Sequence, residues 1–296
     1  MAAQVTPPEL RPSERPPITP TELVTAVRRL FKTPGYDPPM MPSVALEVHR
    51  LSRQPETSFA QIEKQIATDP ILAARVIRVA QSPLYASASP IRSLRDATSR
   101  VGLRALGDLF LEVSMSARLF RAKGYEKVME RLRLHSVATA HAARLIARQA
   151  KVHEDYGYLV GLLHDVGIAS IIIALSEPVV AGDLLERALA MPFCNLEQVV
   201  LQAHESAGAV VAHAWKMPPD LAMVIGNHHG RQPDLPIHPV VGALWIGEAI
   251  ASACGFEGLD TPNEGAVNRA CDTLSLQARH MRPLHDQIAK VMAGRA

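Results

Sequence analysis

The segment that most restricts what this chain can become is YLVGLLHDVGIASIIIAL, Tyr158 to Leu175. His164 and Asp165 stand side by side there, inside an otherwise apolar run of helical character. A carboxylate withdrawn from water needs a counter-charge, hydrogen bonds or a metal ion, and its burial without them is costly. The run therefore demands a fold that buries it and brings partners to the pair from elsewhere in the chain.

The surrounding sequence can build that interior from helices. Apolar residues make up 48% of the 296 and aromatics only 4%, with the weight in Ala, Leu, Val and Ile. That balance suits packed helices better than an aromatic-rich sandwich. From Ser43 onward the pattern is helical: SVALEVHRLSR is amphipathic, and SFAQIEKQIATD opens on Ser58 as a cap and stops before Pro70. PILAARVIRVAQS carries its proline in the first turn, where the missing N–H does no harm. SLRDATSRVGLRALGDLFLEVSMSARLF supplies two more helices, broken near Gly102. There is no alternating strand pattern and no tandem repeat. The expected fold is all-α, in two helical lobes.

Punctuation divides the chain. Six prolines within the first 20 residues read as an extended lead-in. A short helix, TELVTAVRRLF, follows with Thr21 as its cap, and KTPGYDPPMMP interrupts again. A further break falls at residues 122–124. The expected segments are 1–37, lead-in and short helix; 38–124, an N-terminal lobe; and 125–296, a second lobe with C-terminal helices. Helices in the second half are expected at 125–151, 154–164, 165–176, 178–190, 195–216, 218–228, 238–254 and 263–292.

Charge and cysteine usage exclude some roles. With 31 Lys and Arg against 29 Asp and Glu, the basic residues dispersed, no direct nucleic-acid binding is expected. Arg75 and Arg78 read as a solvated face. Cys194, Cys254 and Cys271 show neither zinc-type spacing nor a disulfide framework, which favours a reducing compartment. The N-terminus has prolines and charges where a signal peptide needs an apolar core, and IASIIIAL is too short for a membrane span. The expectation is a cytoplasmic protein without a membrane.

Candidate partners for the pair are histidines on apolar helix faces. His135 lies in RLRLHSVATAHAARL, His204 in EQVVLQAHESAGAVVAHAW, and His228 with His229 ends DLAMVIGNHHG. The gaps between them are each long enough for a helix to run out and the next to return, so they can converge in a bundle. Such residues are satisfied by hydrogen bonds or by a metal, and the residues alone leave both open. His229 also suits a helix C-terminus, where its charge is favoured. His141, His153, His213, His238, His280 and His285 read as surface or capping residues, and Trp215 as a core anchor.

LHDVG resembles the signature of the HD superfamily, metal-dependent phosphohydrolases with an all-α fold. The nearer resemblance is to the HDOD branch (HD-related output domain), over roughly Pro38 to Ala253. DPILAARVIRVAQSPLYASASPIRSLRDATSRVG is similar to that family's N-terminal lobe, and HSVATA, YLVGLLHDVGIA, HESAGAVVAHAWKMP and VIGNHH follow in family order. The resemblance implies an HD-type helical core. It also implies one metal ion on His135, His164, Asp165 and Glu248, and a second on Asp165, His204, His228 and His229. The mixed N/O set suits Fe, Mn, Ni or Zn, as one or two divalent ions.

The chain departs from the family pattern at several places. Gln81-Ser82 replaces a common Asn-Ser, and Ile168 stands where a lysine often follows the HD pair. The Gly-Tyr-Pro motif of cyclic-di-GMP phosphodiesterases does not follow His228-His229, and Glu248 occupies what is usually an aspartate. The resemblance thus implies a bacterial signal-transduction protein working through contacts with protein partners of unknown identity, its metal site retained. The alternative is a metal-dependent phosphohydrolase acting on a nucleotide, cyclic dinucleotide or other phosphoester, with Asp165 as its catalytic residue.

Overall fold

The computed structural model describes residues 16–34, 40, 41, 43–68, 70–87, 89–230, 237–260, 262, 264–293 and 295. Residues 1–15 of the expected lead-in and 35–39 and 42 of the KTPGYDPPMMP break lie outside them, as does the side chain of His280. Among the described residues the structure is helical, with no strand.

The first helix, α1 (Pro20–Leu30), starts earlier than its composition suggests. Its cap is Thr19 rather than Thr21, because Glu22 reciprocates: the Thr19 side chain accepts from the Glu22 N–H, and the Glu22 carboxylate accepts from the Thr19 N–H at 2.8 Å. Leu23, Val27 and Leu30 are buried.

The N-terminal lobe comprises α2 (Ser43–Leu51), α3 (Phe59–Ala67), α4 (Pro70–Ala80), a short 3-10 turn at Pro83–Tyr85, α5 (Leu94–Val101) and α6 (Leu103–Arg118). Ser58 caps α3 in a box with Gln61. Gly102, at φ 85°, makes the corner between α5 and α6.

The second lobe is built around α7 (Glu126–Gln149), which packs against α8 (Glu154–Leu163) and α14 (Pro239–Ala253). The approach is close because Gly161 faces the Ala140 backbone, where a Cβ would lie 2.7 Å from Cα. A second layer joins α9 (Val166–Ser176) to α12 (Phe193–Ala214), and α12 to α13 (Pro219–Gly226). Helix α1 packs on α12 and α9. The first helix is therefore part of the core beside the second lobe, not an appendage.

Two expected helices are each divided. The stretch 178–190 forms α10 (Pro178–Ala181) and α11 (Leu184–Ala190), separated at Gly182 with φ 54°. The stretch 263–292 forms α15 (Glu264–Thr273) and α16 (Ala278–Met292). Ser275 turns into the left-handed region there, and the Leu276 N–H returns to the Cys271 carbonyl at 2.9 Å.

Helices α8 and α9 together form a 23-residue run, Glu154–Ser176, long and apolar enough by itself to cross a membrane. This corrects the expectation that no stretch reaches that length. Its most apolar window is 89% buried inside the fold, as befits core helices.

A buried polar network joins the lobes. Asp108 of α6 pairs with Arg144 of α7 and with Arg53, and lies 3.3 Å from His49. One turn on, Glu112 accepts from the Tyr158 hydroxyl and His141 Nε2, each at 2.9 Å, and from Arg295 Nε at 2.7 Å. His141 is thus an interior residue, contrary to its reading as surface or cap. His153 and His238 do cap α8 and α14, His213 is exposed, and Trp215 is buried.

Candidate metal centre

The apolar run of the second lobe breaks where its polar pair falls. His164 ends α8 and Asp165 opens α9, so the two helices hold these side chains at their junction. His135 comes from the middle of α7, His204 from α12, His228 and His229 from the turn after α13, and Glu248 from α14. Every residue expected at the site is brought together. All but His229 are at most 3% exposed.

Asp165 stands at the centre, one oxygen toward each of two groups. Its Oδ2 lies 3.2 Å from His164 Nε2 and 3.9 Å from His135 Nε2, while Glu248 Oε1 lies 3.5 and 4.0 Å from the same two rings. Its Oδ1 lies 3.9 Å from His204 Nε2 and 3.8 Å from His228 Nε2. His135, His164 and Glu248 form one set of donors close enough to share an ion, and His204, His228 and His229 form another.

The backbone decides which nitrogen each ring offers. Nδ1 of His135, His164, His204 and His228 binds the carbonyls of Phe256, Gly161, Leu201 and Ile225, at 2.8, 2.9, 2.6 and 2.7 Å. A carbonyl only accepts, so each Nδ1 carries the hydrogen, and each ring when neutral turns a bare Nε2 inward. Such outer-shell bonds fix the tautomer of metal-binding imidazoles.

Without a cation these donors are poorly satisfied. His135 Nε2, His164 Nε2, Asp165 Oδ2 and both Glu248 oxygens are buried without an aligned hydrogen-bond partner. His204 Nε2 lies 3.2 Å from His228 Nε2, where both rings carry their hydrogen on Nδ1 and lone pairs converge, and 3.0 Å from His229 Nε2. The residues present therefore fit a divalent ion in each group, by donor chemistry and by their unmet hydrogen bonding. The set of nitrogen and carboxylate oxygen donors does not select one metal.

The same burial and crowding set the charge of these groups. Burial, aided by the neighbouring His164, lowers His135 to about 4. Burial and the adjacent His229 and His204 hold His228 well below the usual imidazole range. Burial also opposes charge on His164, but Asp165 and Glu248 outweigh it and raise that ring well above its ordinary value. Burial pushes Glu248 up to about 7 against the pull of His164. Asp165 resists burial and is held far below the carboxylate range by His164, His204 and His135. A divalent ion would take the place of the proton on His164 and favour ionised Glu248, so loading releases protons.

Two residues absent from the sequence reading adjoin the centre, both in the loop after α14. Gly258 is buried against His135, where a Cβ would come 2.8 Å from Nε2. Asp260 Oδ2 lies 3.5 Å from His229 Nε2. They follow no helical periodicity, so only their neighbours in space mark them. Ile168, in the position where a lysine often stands, is wholly buried in α9.

A two-lobed, all-α bundle with a histidine and carboxylate centre at a helix junction is the architecture of the HD superfamily. The chain belongs to the HDOD domain family, whose model matches residues 39–231. It superposes on an HDOD domain protein of unknown function from Geobacter sulfurreducens, with a TM-score of 0.64 at 22% identity, over 93% of this chain and 98% of that one. A Shewanella amazonensis SB2B protein, provisionally named a metal-dependent phosphohydrolase, gives 0.65 at 20% identity, over 94% and 99%. At these identities the likeness establishes the HD-type fold and not an activity. An uncharacterized protein of Treponema pallidum (strain Nichols) is 25% identical over 198 residues, 65% of this chain. The chain spans 38% of that relative's length.

Proposed function

We propose that the chain is a metal-binding regulatory protein of bacterial signalling, acting through contacts with a protein partner. The observation that carries this reading is a metal-ready set of donors that is closed: the inward Nε2 atoms of four rings surround Asp165, yet those rings are wholly buried. Closed sites are typical of structural metal, whereas catalytic ions keep a position open to substrate. His135, His164, Asp165 and Glu248 would hold one ion, and Asp165, His204, His228 and His229 the other. Ile168 agrees with this reading, since it leaves no cation there to steer a phosphoryl group. A signal-transduction protein of Marinobacter aquaeolei VT8, also provisionally so named, shares the fold at a TM-score of 0.63.

A second reading, phosphoester hydrolysis, is favoured by Asp165 itself, whose two oxygens address two separate donor groups. Two ions so placed would supply water activation and stabilise charge on phosphoryl oxygens. Asp165 would then hold both ions in register, and the buried walls would exclude bulk water. Elemental analysis of the purified protein, followed by turnover assays on phosphomonoesters, nucleotides and cyclic dinucleotides with Mn, Fe, Ni or Mg, separates the readings. The regulatory reading expects bound metal and no turnover. A robust rate abolished by Asp165→Ala would replace it with the hydrolase, and a protein that refuses all metal would reject the centre.

A further inference from the structure

Beyond α14 the chain turns at Gly255, with φ 88°, and runs back across the metal centre. This loop is tied to α7 at two levels. The Phe256 carbonyl accepts from His135 Nδ1, and Arg131, one turn before His135, donates to the Glu257 and Gly258 carbonyls at 3.1 and 2.6 Å. These bonds hold the loop against α7 as far as Gly258, and beyond them it delivers Asp260 to the edge of the His204, His228 and His229 group.

The three rings have the spacing of a coordination shell, and Asp260 adjoins it through His229. Four ligands placed tetrahedrally about an ion, each bonded at about 2.1 Å, lie roughly 3.4 Å from one another. The separations are 3.2 Å from His204 to His228, 3.0 Å from His204 to His229 and 3.5 Å from His229 to Asp260 Oδ2. Asp165 Oδ1 is somewhat farther, at 3.8 and 3.9 Å from His228 and His204. Charge points the same way. The first group has Glu248 as a carboxylate of its own, while the second has three imidazoles and only a share of Asp165. One more anion would balance it, and Asp260 faces the His229 ring nitrogen, while Glu205 accepts from the His229 backbone N–H at 2.9 Å.

We infer that Asp260 is a ligand of the second ion, completing the His204, His228 and His229 group, so that the loop is fastened by metal at this site. The inference rests on the metal-binding reading above and adds to it a ligand outside the family-matched segment. It gives the buried centre a connection to the surface, since Asp260 is one-third exposed while the three rings it joins are nearly or wholly buried. Metal occupancy would then set the order of a solvent-facing loop.

The test uses the full chain, stripped with chelator and reloaded with Mn or Zn, with wild type, Asp260→Asn, Asp260→Glu and Glu248→Gln compared. Metal-free thermal melts establish that each variant is folded. By elemental analysis and calorimetry, wild type should take two ions. Asp260→Asn should lose one or bind it at least 10-fold more weakly, comparable to the loss seen when metal-site partners are removed. Asp260→Glu should recover part of that affinity, and Glu248→Gln should weaken the other binding step. By hydrogen exchange, metal should protect residues 255–260 in wild type and fail to do so in Asp260→Asn. Equal stoichiometry, affinity and loop protection in wild type and Asp260→Asn would overturn the inference while leaving the metal centre intact. A wild type that binds no ion would overturn both.

Discussion

The glycine two residues after Asp165 explains how the pair meets its partners. A Cβ on Gly167 would lie 2.0 Å from the His204 carbonyl oxygen and 2.6 Å from the Gly208 nitrogen. Both are backbone atoms of α12 and cannot rotate away. Gly167 therefore sets how closely α9 and α12 approach, and with it the distance from Asp165 to His204. Gly167→Ala should cost on the order of 3 kcal/mol, at the upper end of overpacking penalties, read as a lower urea midpoint. Gly208→Ala should cost less, because its nearest obstacle is the Ile225 side chain at 2.9 Å, which can yield. The reverse order would contradict this account. Asp165 itself was readable as an anomaly from its apolar neighbours, but its two-sided role came only from the family resemblance. That role depends on which oxygen faces which ring.

At the scale of helices, α6 is the bridge between lobes, and its buried acids are the means. Burial raises the Glu112 carboxyl, but Arg295 and His141 outweigh it and hold it at about 2, from an ordinary 4.5. Because folding lowers this value, the stabilisation is fully present above about pH 4.5 and is lost as pH falls toward 2. Glu112→Gln should lower stability at pH 7 by about 3 kcal/mol, the low end for breaking a buried ion pair. Denaturant titrations at pH 7, 4.5 and 3 should show a shallower acid loss in the variant than in wild type. Parallel slopes would remove Glu112 from the explanation. The amphipathic pattern of α6 marked it as a core helix and not as a carrier of buried charge. Periodicity counts Asp108 and Glu112 as polar and places them outside, whereas Arg144 and Arg295 from other elements make burial tolerable.

For the whole molecule, the metal centre collects side chains from α7, the α8–α9 junction, α12, the turn after α13, and α14. An ion bound only by the assembled fold stabilises it by mass action, about 2.7 kcal/mol at a free concentration 100 times Kd. Chelation should accordingly lower the Tm by roughly 5–10 °C for a domain of this size, and added metal should restore it. Asp165→Asn, which removes the shared carboxylate charge, should abolish that metal-dependent shift; a full shift in this variant would exclude Asp165 as the central ligand. What the sequence alone determined is local: helical periodicity, the break at the His164–Asp165 pair and the candidate histidines on apolar helix faces, whereas the full set of seven, Glu248 included, is what the family resemblance implied. The local features follow from near-neighbour sterics and from the cost of desolvating charge, which act within a few turns of chain. Tertiary structure decided the rest. It supplied the carbonyls that set each tautomer, the inward place of His141, the packing of α1 against α9 and α12, and the approach of Asp260 to His229. These depend on distances between segments far apart in sequence, which only the packed helices define.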